Sequence, residues 1–265
     1  MVMTNYIKKH FWIQSIIWCI LLIVFWELSV TTGLANNYLL PSFSSVIREL
    51  FSLLKTNEFL MQIGNSLLLI TKGFAISVIV AMAMAGLASF QSVFRSFIKT
   101  MCVILTPLPA VAILPVIIMF FGINEESMIV LIMHSVVWPL IVNALNGVSI
   151  IPDIYKAFGQ NIGMPKYKIA THIYLMSAFP NILAGFRIGW GRAWRALISA
   201  EMVFGMIGSL GGLGYFIYTN RAYGNMTRVM CGIIVIAVLG IVVETILFGV
   251  TEKFTVKKWG MVHEQ

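Results

Sequence analysis

The sequence predicts an all-α integral membrane protein with six spans, on three observations. Of its 265 residues, 59% are hydrophobic and only 11% charged, against roughly 45–50% and 25% in soluble domains. Six charge-poor segments are long enough to cross about 30 Å of hydrocarbon: about 11–31, 61–90, 98–121, 127–148, 178–206 and 229–251. The basic residues flank these segments instead of forming one stripe. In lipid each segment must be helical, because no water is present to satisfy its backbone. A single membrane domain over 1–265 then accounts for the chain, with no length left for a soluble catalytic domain.

The first segment follows Lys8, Lys9 and His10 and lacks a small-residue cleavage signature, so it reads as an uncleaved span. Between Pro41 and Lys55, Val46, Ile47, Leu50, Phe51 and Leu54 recur at helical spacing, which predicts a short surface helix. The second span carries Ala81, Ala83, Ala85, Gly86, Ala88 and Ser89, small residues that let helices approach closely where lipid gives no hydrophobic drive. The third contains Pro107, Pro109 and Pro115. Each removes a backbone donor and bends a helix, which reads as a structural kink or as part of a solute path. The fifth contains Gly185 and Gly189, continued by Ala193 at the same spacing, a pattern for close packing within the chain or between copies.

Loop charges set the orientation. With the N-terminus in the cytoplasm, Lys8, Lys9, Arg95, Lys99, Lys156, Lys166, Lys168, Lys253, Lys257 and Lys258 lie inside. Arg48, Lys55, Arg221 and Arg228 lie outside, and Lys72, Arg187, Arg192 and Arg195 fall within helices. Ten against four places both termini in the cytoplasm. The net charge of +8 is thus a matter of topology, not of nucleic-acid binding. Cys19, Cys102 and Cys231 are scattered through apolar segments, with no metal or disulfide spacing. No Gly-x-x-x-x-Gly-Lys-Ser/Thr is present, so the chain carries no phosphate loop of that kind.

The stretch of about 149–177 and the helix after it carry the most information. Tyr155 to Ile162 is amphipathic, and Gly163-Met-Pro165 punctuates it before the basic segment Lys166 to His172. The pattern resembles the cytoplasmic motif of binding-protein-dependent ABC importer permeases: Glu-Ala-Ala, three residues, Gly, nine residues, Ile-x-Leu-Pro. Here Ala157, Phe158 and Gly159 occupy the first three places, Gly163 the glycine, and Ile173 and Leu175 the later apolar positions. The glutamate is absent, and Met176 stands where the proline belongs. Leu40-Pro-Ser42, Thr106-Pro-Leu-Pro-Ala110, Phe121-Gly122, Ala184-Gly-Phe-Arg187, Ala200-Glu-Met202 and Gly211-Gly-Leu-Gly-Tyr215 resemble the nitrate/sulfonate/taurine branch, over essentially the whole chain.

The resemblance implies a six-helix type I permease in a bacterial inner membrane, itself not an enzyme. It would import a small solute delivered by an extracytoplasmic binding protein. Two ATPase subunits would supply the ATP and Mg, and a second permease chain, the same or different, would complete the path. Ala157, Phe158, Gly159, Gly163, Pro165, Lys166, Lys168, Ile173 and Leu175 would form the ATPase-coupling loop. The branch implies a sulfonate or taurine-like anion or nitrate, with a vitamin-related compound as the alternative. From the residues alone, an ion-coupled secondary transporter is the competing class, and only His134, Glu201 and Glu244 could build its ion site.

Charges within the membrane point to function by default. Pro107, Pro109, Pro115, Arg187, Arg192, Arg195 and Glu201 are the candidates for the translocation pathway, as anion contacts or as structural ion pairs. At 100° per residue, Arg192 and Arg195 lie about 60° apart on a helix, whereas Glu201 stands about 21 Å from Arg187 along it and needs another partner. Gly211, Gly212, Gly214, Tyr215 and Arg221 mark an outer loop that could meet a binding protein or anchor at the lipid surface. His134 reads as a hydrogen-bonded interior histidine, and no metal site is expected.

Overall fold

The computed structural model describes residues 2–206 and 211–260; the side chains of residues 2–12 and of Lys166 lie outside that description. The described residues are helical with short connections. Five helices are long and apolar enough to cross a membrane, and a bent pair makes a sixth apolar passage. The described residues fall into two compact units. One comprises the chain up to Leu60 with Phe216–Val235; the other is Met61–Tyr215 with the chain from Ile236 onward.

In the first unit, helix α1 (Val2–Thr31) leads to α2 (Phe43–Leu53). The Ser42 hydroxyl caps α2 by accepting the Ser45 N–H, and Glu27 accepts the Ser44 N–H and hydroxyl at 3.1 and 2.8 Å. A carboxylate at a helix N-terminus answers its free amides and positive dipole end. Val46, fully buried, gives its carbonyl to the Cys231 thiol, and Arg228 pairs with Glu49 at 2.8 Å. The short surface helix predicted over 41–55 is therefore present, with Val46 and Leu53 as its buried face.

The second unit is built around α6 (Glu125–Ser149), which runs antiparallel to α9 (Met176–Phe204). A Cβ on Gly185 would come within 2.9 Å of Asn143 and Leu140, and one on Gly189 within 3.1 Å of Val136. The small-residue pattern thus serves packing inside the chain. Ala81, Ala85 and Ala88 of α3 (Asn57–Phe90) are buried in the core that holds Leu140, Ile141, Ala144 and Ile182, while Ala83 faces outward.

The expected third span is two helices. α4 (Ser92–Leu105) and α5 (Ala110–Phe121) meet at 107°. Pro107 and Pro109 have no N–H to donate, so the helical bonds they would make to the carbonyls of Val103 and Leu105 cannot form, and Pro109 becomes the N-cap of α5. Pro115 lies inside α5. The segment read as a loop over 149–177 is more ordered than hydropathy suggests. α7 (Asp153–Asn161) turns at Gly163 into α8 (Lys166–Lys168), and a π-helical stretch, Ile169–Leu175, continues directly into α9. After α9 the chain resumes at α10 (Leu213–Ala222). α11 (Met226–Val242) passes through a π-helical stretch, Val243–Phe248, into α12 (Gly249–Phe254).

Candidate functional site

At the α4–α5 break the chain opens a cavity of about 420 Å³. Thr106, Pro107 and Pro109 line it from the break, His134 and Ser135 from α6, and Arg192, Arg195 and Ser199 from α9. Arg192, Arg195 and Ser199 share a face because residues three and four apart on a helix are neighbours. Arg192 Nη1 donates to the Thr106 carbonyl at 3.3 Å, a carbonyl that the break has freed from helical pairing. The Thr106 hydroxyl is buried, with no hydrogen-bond partner.

The cavity is electrostatically one-sided. No carboxylate lines it, and among the described residues neither Arg192 nor Arg195 has an acidic partner within ion-pair distance. The His134 ring accepts the Trp138 indole N–H at Nδ1, 3.3 Å away. In the neutral ring the proton then sits on Nε2, a donor. Two guanidiniums and a donor imidazole at a kinked helix are fit to bind an anion. Two unpaired cations would be costly in lipid without one.

The other pathway candidates lie elsewhere. Arg187 pairs with Glu252 at 2.8 Å and lies 3.5 Å from Glu244. Glu201 is 3% exposed and belongs to a different arrangement. Its carboxylate accepts the Ser66 hydroxyl at 2.7 Å and the Gly214 N–H at 2.7 Å, while Ser66 Oγ accepts the Leu213 N–H at 2.9 Å. Asn65 holds the Gly211 carbonyl at 3.0 Å. So Gly211, Gly212 and Gly214, taken from sequence as an outer loop, are buried against α3 and α9, and a Cβ at Gly212 would overlap Glu201 and Ser66. Tyr215 is half-buried and Arg221 exposed on α10. Gly208, also in that glycine-rich stretch, lies outside the described residues. His134, Thr106, Ser135 and Ser199 escaped the sequence reading as a group. The one available signal was the i, i+3, i+7 spacing of Arg192, Arg195 and Ser199.

The motif segment has its own geometry. Met164 N–H bonds the Gly159 carbonyl at 2.9 Å and Gly163 N–H the Gln160 carbonyl at 3.0 Å, the paired bonds that close a helix on a left-handed residue. Gly163 has φ +71°, which glycine adopts without strain. Gly159 is buried, and a Cβ there would lie 2.9 Å from Ile173 and 3.2 Å from Ile169. Ala157, Phe158, Gly159 and Gly163 thus belong to a helix and cap held against the helical segment that carries Ile173 and Leu175. Pro165 gives its carbonyl to the Lys168 and Ile169 amides. Ile154, Tyr155, Phe158 and Ile162 stand 72%, 55%, 62% and 58% exposed along one face of α7, which leaves that face unburied within the chain.

The described residues are helical, with several helices apolar and long enough to cross a membrane and a cavity lined by two arginines, the make-up of a multi-pass membrane protein. Residues 73–255 match the family described as binding-protein-dependent transport system inner membrane component, and the chain belongs to it. It is 28% identical over 240 residues to a putative ABC transporter permease of Methanocaldococcus jannaschii, covering 89% of this chain and 88% of the relative. It is 25% identical over 233 residues to a putative aliphatic sulfonates transport permease of Bacillus subtilis, covering 88% and 83%. With the taurine transport system permease of Escherichia coli it shares 26% identity over 241 residues, covering 89% and 86%. The chain is therefore an inner-membrane permease of a binding-protein-dependent ABC importer. An ion-coupled secondary transporter is set aside by that membership.

Proposed function

We propose that this permease conducts a small organic anion of the sulfonate type, held in transit between Arg192 and Arg195 at the α4–α5 break. One observation carries the reading: two guanidiniums without carboxylate partners among the described residues line a cavity whose lining holds no acidic group. Guanidinium presents a planar fork of donors that matches the oxygens of an oxyanion. The relatives named for aliphatic sulfonates and taurine support that chemical class. A neutral or cationic vitamin-like solute would gain nothing from the two charges. Nitrate shares the charge and serves as the competitor in the test.

The motif segment supplies the drive. By the positive-inside distribution it faces the cytoplasm, where the exposed apolar face of α7 fits a groove on an ATPase subunit. Two such ATPases, holding ATP and Mg, would act on two copies of this chain, and a binding protein would deliver the solute outside. Closure of the ATPases would move α7 and, through its contact with Ile169 and Ile173, the long helix that carries Arg192 and Arg195.

Uptake of isotope-labelled taurine, with and without excess nitrate, tests the site in cells that depend on this chain. Arg192→Gln and Arg195→Gln are each expected to lower uptake about tenfold or more, the scale of a charged hydrogen bond, at unchanged chain abundance. Normal uptake by both variants would remove the anion site. Coupling is tested separately in the assembled transporter. Gly163→Leu strains the positive φ, and Lys166→Glu with Lys168→Glu reverses the charge beside it. Both should abolish stimulation of ATPase activity by substrate-loaded binding protein, and intact stimulation would disconnect this segment from the drive.

A further inference from the structure

We infer that the anion has a second station on the cytoplasmic side of the first, formed by Lys99, Asn146 and Arg192, with Arg192 shared by the two. This inference rests on the reading of the first cavity as an anion site. A separate cavity of about 570 Å³ is lined by Lys99, Cys102 and Val103 of α4, Val142, Leu145 and Asn146 of α6, and Arg192 of α9. It shares Thr106, Pro107 and Arg192 with the cavity described above. The wall between the two is the proline break itself, and Arg192 is bonded to the Thr106 carbonyl in that wall.

The two stations differ in chemistry. The first offers Arg195, His134, Ser135 and Ser199; the second has mainly apolar walls, with Lys99, Asn146 and Arg192 among its lining residues. Lys99 has no carboxylate partner among the described residues and lies midway along α4, about two turns before Thr106 and the break. An organic anion leaving Arg195 can keep its charged end on Arg192 while its hydrocarbon end slides against Val103, Val142 and Leu145. Lys99 then takes over the charge. No step leaves the anion without a cation. The bond from Arg192 to a backbone carbonyl, longer than the usual 2.9 Å, is one that the anion can replace.

Val103 lies on the wall of the second cavity and is 76% exposed, whereas the neighbouring Cys102 is buried with its thiol on the Trp138 carbonyl. A Val103→Cys substitution therefore reports on the cavity without knowledge of the substrate. The assembled Val103→Cys transporter in inside-out vesicles is treated with two methanethiosulfonates of similar size, one sulfonate-bearing and one trimethylammonium-bearing. Adduct formation at position 103 is followed by peptide mass spectrometry, and each rate is divided by that reagent's rate with a small free thiol.

The sulfonate reagent should be favoured about tenfold, as expected where fixed cations concentrate an anion. Lys99→Gln and Arg192→Gln should each remove most of that preference, Lys99→Arg should keep it, and Arg195→Gln should leave it unchanged while lowering taurine uptake. A preference near one, no adduct at position 103, or a preference insensitive to Lys99→Gln overturns the second station. If those results accompany loss of uptake in Arg195→Gln, the first cavity stands alone and Lys99 meets only lipid headgroups. If Lys99 controls the preference but Arg192→Gln and Arg195→Gln transport normally, the first cavity is the part that fails.

Discussion

Two cavities of nearly equal size, about 460 and 420 Å³, lie in the same unit and are built on opposite principles. The first is bordered by Glu201, Glu125, Asn65 and Asn124, without a basic residue on its lining; the second has Arg192, Arg195 and His134, without an acidic one. The difference that matters is satisfaction. Around Glu201 the polar side chains are engaged: the carboxylate with Ser66 and Gly214, Ser66 with Leu213, Asn65 with Gly211. Glu125, at the rim, pairs with Lys72 at 3.1 Å. Around Arg192 and Arg195, among the described residues, the cations lack counter-charges and the Thr106 hydroxyl lacks a partner. A buried carboxylate answered by its neighbours holds a structure together, whereas half-buried Arg192 and exposed Arg195 offer charge that no neighbour answers, open to something that comes and goes.

The comparison breaks most easily at Gly212. A methyl there would overlap both the Glu201 carboxylate and the Ser66 hydroxyl. Gly212→Ala should therefore combine overpacking with lost hydrogen bonds, roughly 2–6 kcal/mol, and appear as a large drop in the yield and thermal midpoint of the purified chain. Ser66→Ala, which removes one donor from the buried carboxylate without adding bulk, should cost about 1–3 kcal/mol. A Ser66→Ala chain as stable as wild type would mean that Glu201 is not a structural latch. Arg195→Gln should behave in the opposite way, with a thermal change within about 0.5 kcal/mol and a loss of transport. A variant that loses stability and transport together would erase the distinction between the two cavities.

Much of this was legible in the residues. The apolar runs marked the helices, because a membrane leaves the backbone no other option. Pro107 and Pro109 marked the break, and Gly185 and Gly189 the close approach to α6. The spacing of Arg192 and Arg195 placed them on one face. Other features were hidden for physical reasons. Glu201 takes its partner from Ser66, 135 residues earlier, a pairing no local pattern encodes. The Gly211–Gly214 segment looked like an exposed loop because glycine is common there. Its glycines are instead required by the carboxylate and helix that press on them. The segment after Gly163 was charged enough to read as a loop, yet its apolar residues Ile169 and Ile173 pack on Gly159 and keep it helical.

Arg187 gives the smallest and most discriminating effect. It lies on the same helix as Arg192 and Arg195, and an inspection of the sequence groups the three. Its partners separate it, not its exposure, since Arg195 is exposed too: the side chain, 34% exposed, meets Glu252, at 24%, and Glu244, at 53%. Partly exposed pairs of this kind contribute little, about 1 kcal/mol or less. Arg187→Gln should therefore lower stability only slightly and leave taurine uptake near wild type. A double-mutant cycle with Glu252→Gln should return a coupling energy of about 0.5–1 kcal/mol, carried by the link between α9 and α12. If Arg187→Gln instead abolishes uptake as Arg192→Gln is expected to, then carboxylate pairing does not distinguish a structural arginine from a transporting one in this helix. The assignment of the anion to the α4–α5 cavity would then lose its main support.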